Sequence, residues 1–293
     1  MTHYRYRHSG CLVGSQIELP EWEAFAVEGK SEPAEVSIEL GTVETAELER
    51  ADADHVAFEV QGTGRWAISA GNRILIDAEK AAQPEESRLF TLGSAWGALG
   101  YQRGWAMWHA SGVAIGGKAA LFCGDSAQGK STMAGALVSR SHRLVADDLS
   151  RVSIEDAAIF PSASRLKLWD VALEQFGWSS GDLQRDHFLD ARFHKPVADA
   201  MPPDSPIGIG AIFVLQWGDA VNLERLRGSE AVTELSAATI YRREFLEPMG
   251  RLTEHVVGCT KLAGRVPVYR LTRPLDFAHI DSVCEAIEEV MQK

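Results

Sequence analysis

The chain has 293 residues, 45% hydrophobic and 24% charged: enough apolar material for one large core or two modest ones, and no composition for long disorder. Its net charge of −12 argues against a binder of extended nucleic acid, which needs a basic surface to release counterions. Cys11, Cys123, Cys259 and Cys284 form no CxxC pair, so neither a zinc site nor a disulfide framework is expected.

No apolar run approaches the ~20 residues of a membrane helix, and the opening MTHYRYRHSG has no signal-peptide core. The expectation is a cytoplasmic protein without a membrane partner.

Polarity alternates in Cys11 to Ile17, Glu35 to Leu40, His55 to Val60 and Arg65 to Ser69, with Arg73 to Asp77 following the turn at Gly71-Asn72. These read as strands. The acidic stretch Gly41 to Asp54 reads as loop. Between Arg88 and Arg103 the period lengthens to that of an amphipathic helix, weakened by Gly93, Gly97 and Gly100.

A second unit follows. Met107 to Ile115 and Ala119 to Cys123 read as strands joined by a two-residue turn at Gly116-Gly117. Ser131 to Arg140 is helical in composition, and Arg143 to Ala146 is a short apolar strand ending in Asp147-Asp148. Ile209 to Leu215 reads as a buried strand. Helices are expected at Val232 to Phe245 and Arg251 to Leu262, a strand at Pro267 to Leu271, and a closing helix at Phe277 to Gln292. Leu183 to Pro206, with four prolines, reads as a long loop of functional interest.

The segment Gly124-Asp125-Ser126-Ala127-Gln128-Gly129-Lys130-Ser131-Thr132 contains G-x-x-x-x-G-K-S/T between a strand and a helix. That context is the one a phosphate-binding loop requires. The glycines let successive N–H groups turn inward toward phosphate oxygens, and the helix adds its positive N-terminal end. Lys130 can reach the β- and γ-phosphates and the Ser131 hydroxyl can hold Mg²⁺, so ATP with Mg²⁺ is the expected ligand. Thr132 reads as helix surface at the end of the loop.

Asp147 and Asp148 close an apolar strand just after the loop's own helix, placed to serve a metal or to accept a proton. An aspartate pair is also an ordinary helix cap or solvated turn. His109, in WAMWHASGVAI, suits a packed strand residue as well as a neighbour of the phosphates. Phosphoryl transfer needs more positive charge than one lysine. Arg165 and Lys167 alternate on a short extended stretch, and Arg192 and Lys195 lie in the proline-bounded loop. All four are candidates for phosphate or substrate, with a solvated surface role as the alternative. Arg242, Arg243 and Arg251 read as surface charges. The tryptophans read as packing residues, with Trp169 and Trp178 as candidates to flank a peptide groove.

Taken together, His109, Gly124 to Ser131 and Ser141 to Asp148 resemble the kinase domain of HPr kinase/phosphorylase. That family has a histidine in the strand before the loop, then G-x-S-x-x-G-K-S, then a GHxLVADD segment. Two departures stand out. Ala127-Gln128-Gly129 replaces the family's usual Gly-x-Gly, and residues 1 to 105 do not resemble its regulatory domain. Tyr101 to Gly104, Trp108 to Ala114 and Pro161 to Trp169 bring the chain closer to a looser group of HPr-kinase-like proteins, which includes kinases associated with lasso peptides.

The resemblance implies an α/β fold, with a β-rich N-terminal domain over 1–105 and an HPr-kinase-like P-loop domain over 106–293. It implies Asp147 as general base, with Asp148 serving the metal or orienting His109, the two aspartates being exchangeable. It also implies a peptide or protein acceptor serine, the C-terminal serine of a lasso precursor being the first candidate. Phosphorylation of a small hydroxylated metabolite and a non-catalytic nucleotide sensor or scaffold are the alternatives. The family proper forms hexamers, so a homo-oligomer is an expectation that no residue here fixes.

Overall fold

The computed structural model describes residues 3–29, 32–48, 50–185, 191–202 and 206–293. The chain divides into two compact units, Met1–Met107 with Tyr241–Glu254, and Trp108–Ile240 with His255–Lys293.

The first unit is built on a six-stranded sheet in the spatial order Tyr4–His8, Cys11–Ser15, Val36–Leu40, Arg73–Ala78, Gly64–Ser69, His55–Val60. Val36–Leu40 is parallel to both its neighbours, and the other pairings are antiparallel. The edge strand Tyr4–His8 has no sequence counterpart above, because its inward residues are Tyr6 and His8 rather than aliphatics. The helical run begins earlier than its period suggests, at Pro84, whose fixed φ suits a first turn. It continues as a π-helical turn over Thr91–Ala95 and an α-helix over Trp96–Gln102. The wide turn falls around Gly93, the residue that weakened the helical pattern.

Side chains lock this run to the sheet. Trp66 Nε1 donates to Thr91 Oγ1 at 2.9 Å, and Thr91 Oγ1 donates to the Ser87 carbonyl at 2.8 Å. Trp96 meets Trp22 edge-on at 5.1 Å, and His8 stacks on the same indole at 3.9 Å. The late segment belongs here through Tyr101, whose hydroxyl donates to the Tyr241 carbonyl, and through Phe245, 5.4 Å from Phe58.

The second unit carries the loop Gly124 to Thr132 that the sequence marks as a phosphate-loop candidate. Its main sheet runs Arg143–Ala146, Ala110–Ile115, Lys118–Cys123, Ile207–Trp217, Val268–Arg273, Asn222–Leu226. Lys118–Cys123, Ile207–Trp217 and Val268–Arg273 are parallel, so Cys123, Trp217 and Arg273 all end at one edge. Ligands of open α/β sheets bind outside such strand ends. Gly116 and Gly117, at φ 58° and 83°, form the expected tight turn with a positive φ at both positions.

Alternate residues of the parallel strands face two sides. Ala120, Phe122, Ala211, Phe213 and Leu215 share a core with Met133 and Leu137 of the helix Lys130–Ser139 and with Val283 and Ile287 of the helix Ile280–Met291. Leu121, Cys123, Ile212 and Val214 are buried as well. Burial on both faces explains the unbroken apolar run at 209–215.

Two sequence expectations are corrected. The helix read over Val232 to Phe245 runs Gly228–Thr239 and stops, because Ile240 is extended and bridges Trp108. A separate short helix covers Arg243–Leu246. The long loop Leu183 to Pro206 contains strands Gln184–Arg185 and Arg192–Pro196. Arg192–Pro196 pairs antiparallel with both Gln184–Arg185 and Arg165–Trp169. Residues 186–190 and 203–205 of that loop lie outside the described residues.

Candidate active site

The phosphate loop leaves the strand Lys118–Cys123 at Gly124, with φ 148°, and enters the helix Lys130–Ser139 at Gly129, with φ 75°. Both glycines are forced. A Cβ on Gly124 would lie 3.3 Å from the Leu215 carbonyl oxygen, and one on Gly129 would lie 2.5 Å from Arg273 Nη2. Ala127 also adopts a left-handed φ of 64°, so the backbone turn occurs here without a glycine at that position. That costs about 1–2 kcal/mol of local strain. Asp125, Ser126 and Ala127 are exposed, Gln128 and Gly129 half-buried.

Lys130 is 6% exposed, and its Nζ donates to the carbonyls of Gly124 and Asp125 at 2.8 and 2.9 Å. Burial lowers its pKa, while the charges of Asp148 and Asp147 pull the other way. Ser131 and Thr132 occupy the first turn of the helix, half-buried.

Asp147 and Asp148 are sent in different directions by the backbone. Leu149 N donates to the Asp147 carbonyl at 2.9 Å across Asp148, which sits at φ 68°. This γ-turn with positive φ is a rare, strained form. Asp147 Oδ1 accepts from Ser111 Oγ at 2.6 Å and Oδ2 from the Lys167 amide at 2.8 Å. Ser131 reaches the same carboxylate. Burial pushes the Asp147 pKa above the ordinary range in spite of these donors, and the neighbouring charge of Asp148 adds to the rise.

Asp148 moves the other way. Burial would raise it, but Lys167 Nζ at 3.2 Å from Oδ2 and His109 Nε2 at 3.4 Å from Oδ1 hold it well below the usual carboxylate range. His109 is placed by its position between strands Ala106–Trp108 and Ala110–Ile115, its amide donating to the Thr239 carbonyl at 3.0 Å. The candidate residues Lys130, Ser131, His109, Asp147, Asp148 and Lys167 thus converge.

The two-stranded register sorts the other basic candidates. Lys167 lies opposite His194, and Trp169 opposite Arg192, so Arg165, Lys167 and Arg192 share one face. The Arg192 guanidinium lies 5.4 Å from the Trp169 ring. Lys195 is opposite Leu166, on the face where Leu166, Leu168 and Phe193 enter the core. Its ammonium lies 5.4 Å from the Trp178 ring, which packs against that core. Lys195 therefore does not share a face with Lys167.

Sequence reasoning missed three residues. Ser111 is a lone hydroxyl in an apolar strand, yet it holds Asp147. Arg273 is 4% exposed, donates from Nη2 to the Gln128 carbonyl at 2.6 Å, and stacks 4.1 Å over the Trp217 ring. Its Nη1 has no hydrogen-bond partner, and burial lowers its pKa to about 10. The only sequence signal for Arg273 and Trp217 is that each ends an apolar strand.

Among the described residues no cluster of three or more His, Cys, Asp or Glu forms a metal cage. Mg²⁺ is bound elsewhere in nucleotide enzymes through one or two protein oxygens plus substrate phosphates. Ser131 and the adjacent Asp147 offer such oxygens, whereas Asp148 already faces two cationic side chains.

No protein-family model and no curated protein matches the sequence. Among solved structures, the chain is similar to the HPr(Ser) kinase/phosphatase of Coxiella burnetii, at 15% identity over 64% of this chain and 93% of that one, with a TM-score of 0.30. Among the described residues no helix is long and apolar enough to cross a membrane.

Proposed function

We propose that the second unit is an ATP-dependent kinase that transfers the γ-phosphoryl group directly to a serine hydroxyl of a peptide or protein. The observation that carries this reading is geometric: beside the glycine-lysine-serine loop, Asp147 lies within reach of Ser131 and Ser111, while Asp148 faces Lys167 at 3.2 Å and His109 at 3.4 Å. Neighbouring acids whose environments push their pKa values apart mark an acid/base assignment. Asp147, raised, is the proton acceptor; Asp148, lowered, is a fixed charge that orients His109 and Lys167. Of the two roles expected of Asp148, serving the metal and orienting His109, this reading takes the second.

The amides of residues 125 to 131 and Lys130 hold the phosphates. Mg²⁺, when bound through Ser131 and phosphate oxygens, neutralises charge on the β- and γ-phosphates. The acceptor oxygen forms its bond to the γ-phosphorus as its proton passes to Asp147. The bond from that phosphorus to the bridging oxygen breaks, and ADP leaves with the electron pair. Lys167 stands beside the carboxylates to stabilise charge on the transferring group. No phosphoenzyme is needed.

The C-terminal serine of a lasso-peptide precursor is the first acceptor to test, on the resemblance of the sequence motifs. The measurement is mass spectrometry of candidate peptides incubated with the protein, ATP and Mg²⁺. A gain of ~80 Da on a serine is expected, the mass of one phosphoryl group. Asp147→Asn should lower its rate by about 10²–10⁴-fold. Full turnover in Asp147→Asn would remove the base assignment. ATP binding without transfer to any hydroxyl would favour the sensor reading.

A further inference from the structure

The strand Arg165–Trp169 runs directly beside the two carboxylates. The Lys167 amide donates to Asp147 Oδ2 at 2.8 Å, and its ammonium lies 3.2 Å from Asp148 Oδ2. Alternate residues of a strand share a face and stand about 7 Å apart, so Arg165 and Trp169 flank Lys167 on one side. Cross-strand pairing widens this face. His194 stands opposite Lys167, Arg192 opposite Trp169, and Gln184 of the third strand pairs with His194. Directly opposed residues point the same way. The other side of the sheet, with Leu166, Leu168 and Phe193, is closed into the core.

The outward face is half-buried to exposed and carries no carboxylate on any of its three strands. That is unusual in a chain of net charge −12, whose surface on average repels anions. Lys167 is matched by Asp148, and the Arg192 guanidinium rests 5.4 Å from the exposed Trp169 ring. A guanidinium has five N–H donors in a fork that fits a carboxylate, so contacts already made within the fold do not exhaust it.

We propose that this face docks an acidic acceptor, a peptide whose serine lies at Asp147 and whose neighbouring Asp or Glu side chains lie on Arg165 and Arg192. The inference rests on the kinase reading of the same unit. Spacing sets where those acidic residues fall. An extended peptide advances ~3.3 Å per residue, so a carboxylate two or three residues from the serine reaches the positions that flank Lys167. Charge complementarity decides the occupant. A basic acceptor would bring its cations against Arg165, Lys167 and Arg192, which costs binding energy, and a neutral one would gain nothing from them. Arg165 and Arg192 thus select the acceptor, while Lys167 stays with the carboxylates.

The probes are three fluorescein-labelled peptides, each a central serine flanked on both sides by Glu, by Gln or by Lys. Anisotropy is read on the full chain with Mg²⁺ and a non-hydrolysable ATP analogue, so that the phosphate loop is filled before the peptide arrives. The Glu peptide should bind at least about tenfold tighter than the Gln peptide at low salt, the gap narrowing as salt rises. The Lys peptide should bind weakest. Arg165→Gln and Arg192→Gln should each weaken the Glu peptide about two- to fivefold, the range of a partly exposed ion pair, and leave the Gln peptide within about twofold. Arg192→Glu should strengthen the Lys peptide, a gain that misfolding cannot produce. Equal affinity for the three peptides, with the analogue bound, would overturn the docking face and leave the phosphate loop standing. A Glu preference that survives in the double variant Arg165→Gln, Arg192→Gln would overturn it too. Loss of analogue affinity in the single variants would put these arginines on phosphate instead. A wild type that does not bind the analogue would overturn the kinase reading and the docking face with it.

Discussion

In the first unit Arg88 and Glu21 lie side by side, at 12% and 6% side-chain exposure, with Arg88 Nε 3.0 Å from each carboxylate oxygen. In the second unit Lys130 and Arg273 are buried as deeply, but their hydrogen bonds go to backbone carbonyls and Arg273 Nη1 has none. Both arrangements take cations out of water at considerable expense. In the first the counter-charge is in direct contact, whereas around Lys130 the carboxylates of Asp148 and Asp147 act from a distance. A buried cation met by an anion is an element of structure; a buried cation met by carbonyl dipoles is poised for an anion that arrives later. The contrast separates a unit whose buried cation is neutralised in place from a unit whose buried cations are held by backbone carbonyls.

The largest expected effect breaks the closed pair. Arg88→Met should leave the Glu21 carboxylate buried and uncompensated, which destabilises by about 3–5 kcal/mol. Denaturant unfolding should show the loss, with nucleotide affinity in the folded fraction unchanged. If Glu21→Met and Arg88→Met combined regain most of the stability, the pair is structural as argued.

Lys130→Met probes the open case and should give the reverse pattern. The substitution removes a desolvated charge, so the melting temperature of the free protein should hold or rise. Affinity for tripolyphosphate and ATP should fall by about 10²-fold or more, as one ionic hydrogen-bonding group is lost from a dry site. A drop in stability without a drop in phosphate affinity would erase the distinction between the two units.

The same contrast explains what the sequence could and could not display. Glu21 and Arg88 are far apart in the chain, and nothing local announces their pairing. The phosphate loop is local: eight residues carry its glycines, its lysine and its serine, and the strand and helix around it follow from short-range pattern. Asp147-Asp148 was visible as a strand-end pair, but the division of labour was not, because it depends on Ser111 on one side and on His109 and Lys167 on the other. Arg192–Pro196 looked like loop because only Phe193 in it enters the core. Its strand exists by pairing with Arg165–Trp169. Once that register is set, a period of two puts Arg192 with Lys167 and turns Lys195 away, an outcome fixed by a partner strand. Arg273 and Trp217 reach the loop because parallel pairing ends their strands beside it.

The pH profile of kcat/KM offers the finest test, since it reads the free enzyme's essential groups. Asp147 acts as base only when ionised, so the rate should climb about tenfold per pH unit below its pKa and then level off. Burial raises that pKa, which places the acid limb above the ordinary aspartate value of about 3.9. A limb from Asp148 would lie below that value instead: held down by Lys167 and His109, it stays ionised through this window and contributes no limb there. At the alkaline end Lys130 must stay protonated to hold phosphate. Burial lowers its pKa, so the descending limb should begin below the ordinary lysine value of about 10.4. Lys167→Met discriminates further. Removing that ammonium weakens the hold on Asp148 far more than on Asp147, so the acid limb should shift little if Asp147 is the base. A large upward shift in Lys167→Met would mean that the limb belongs to Asp148, and the roles of the two carboxylates would have to be exchanged.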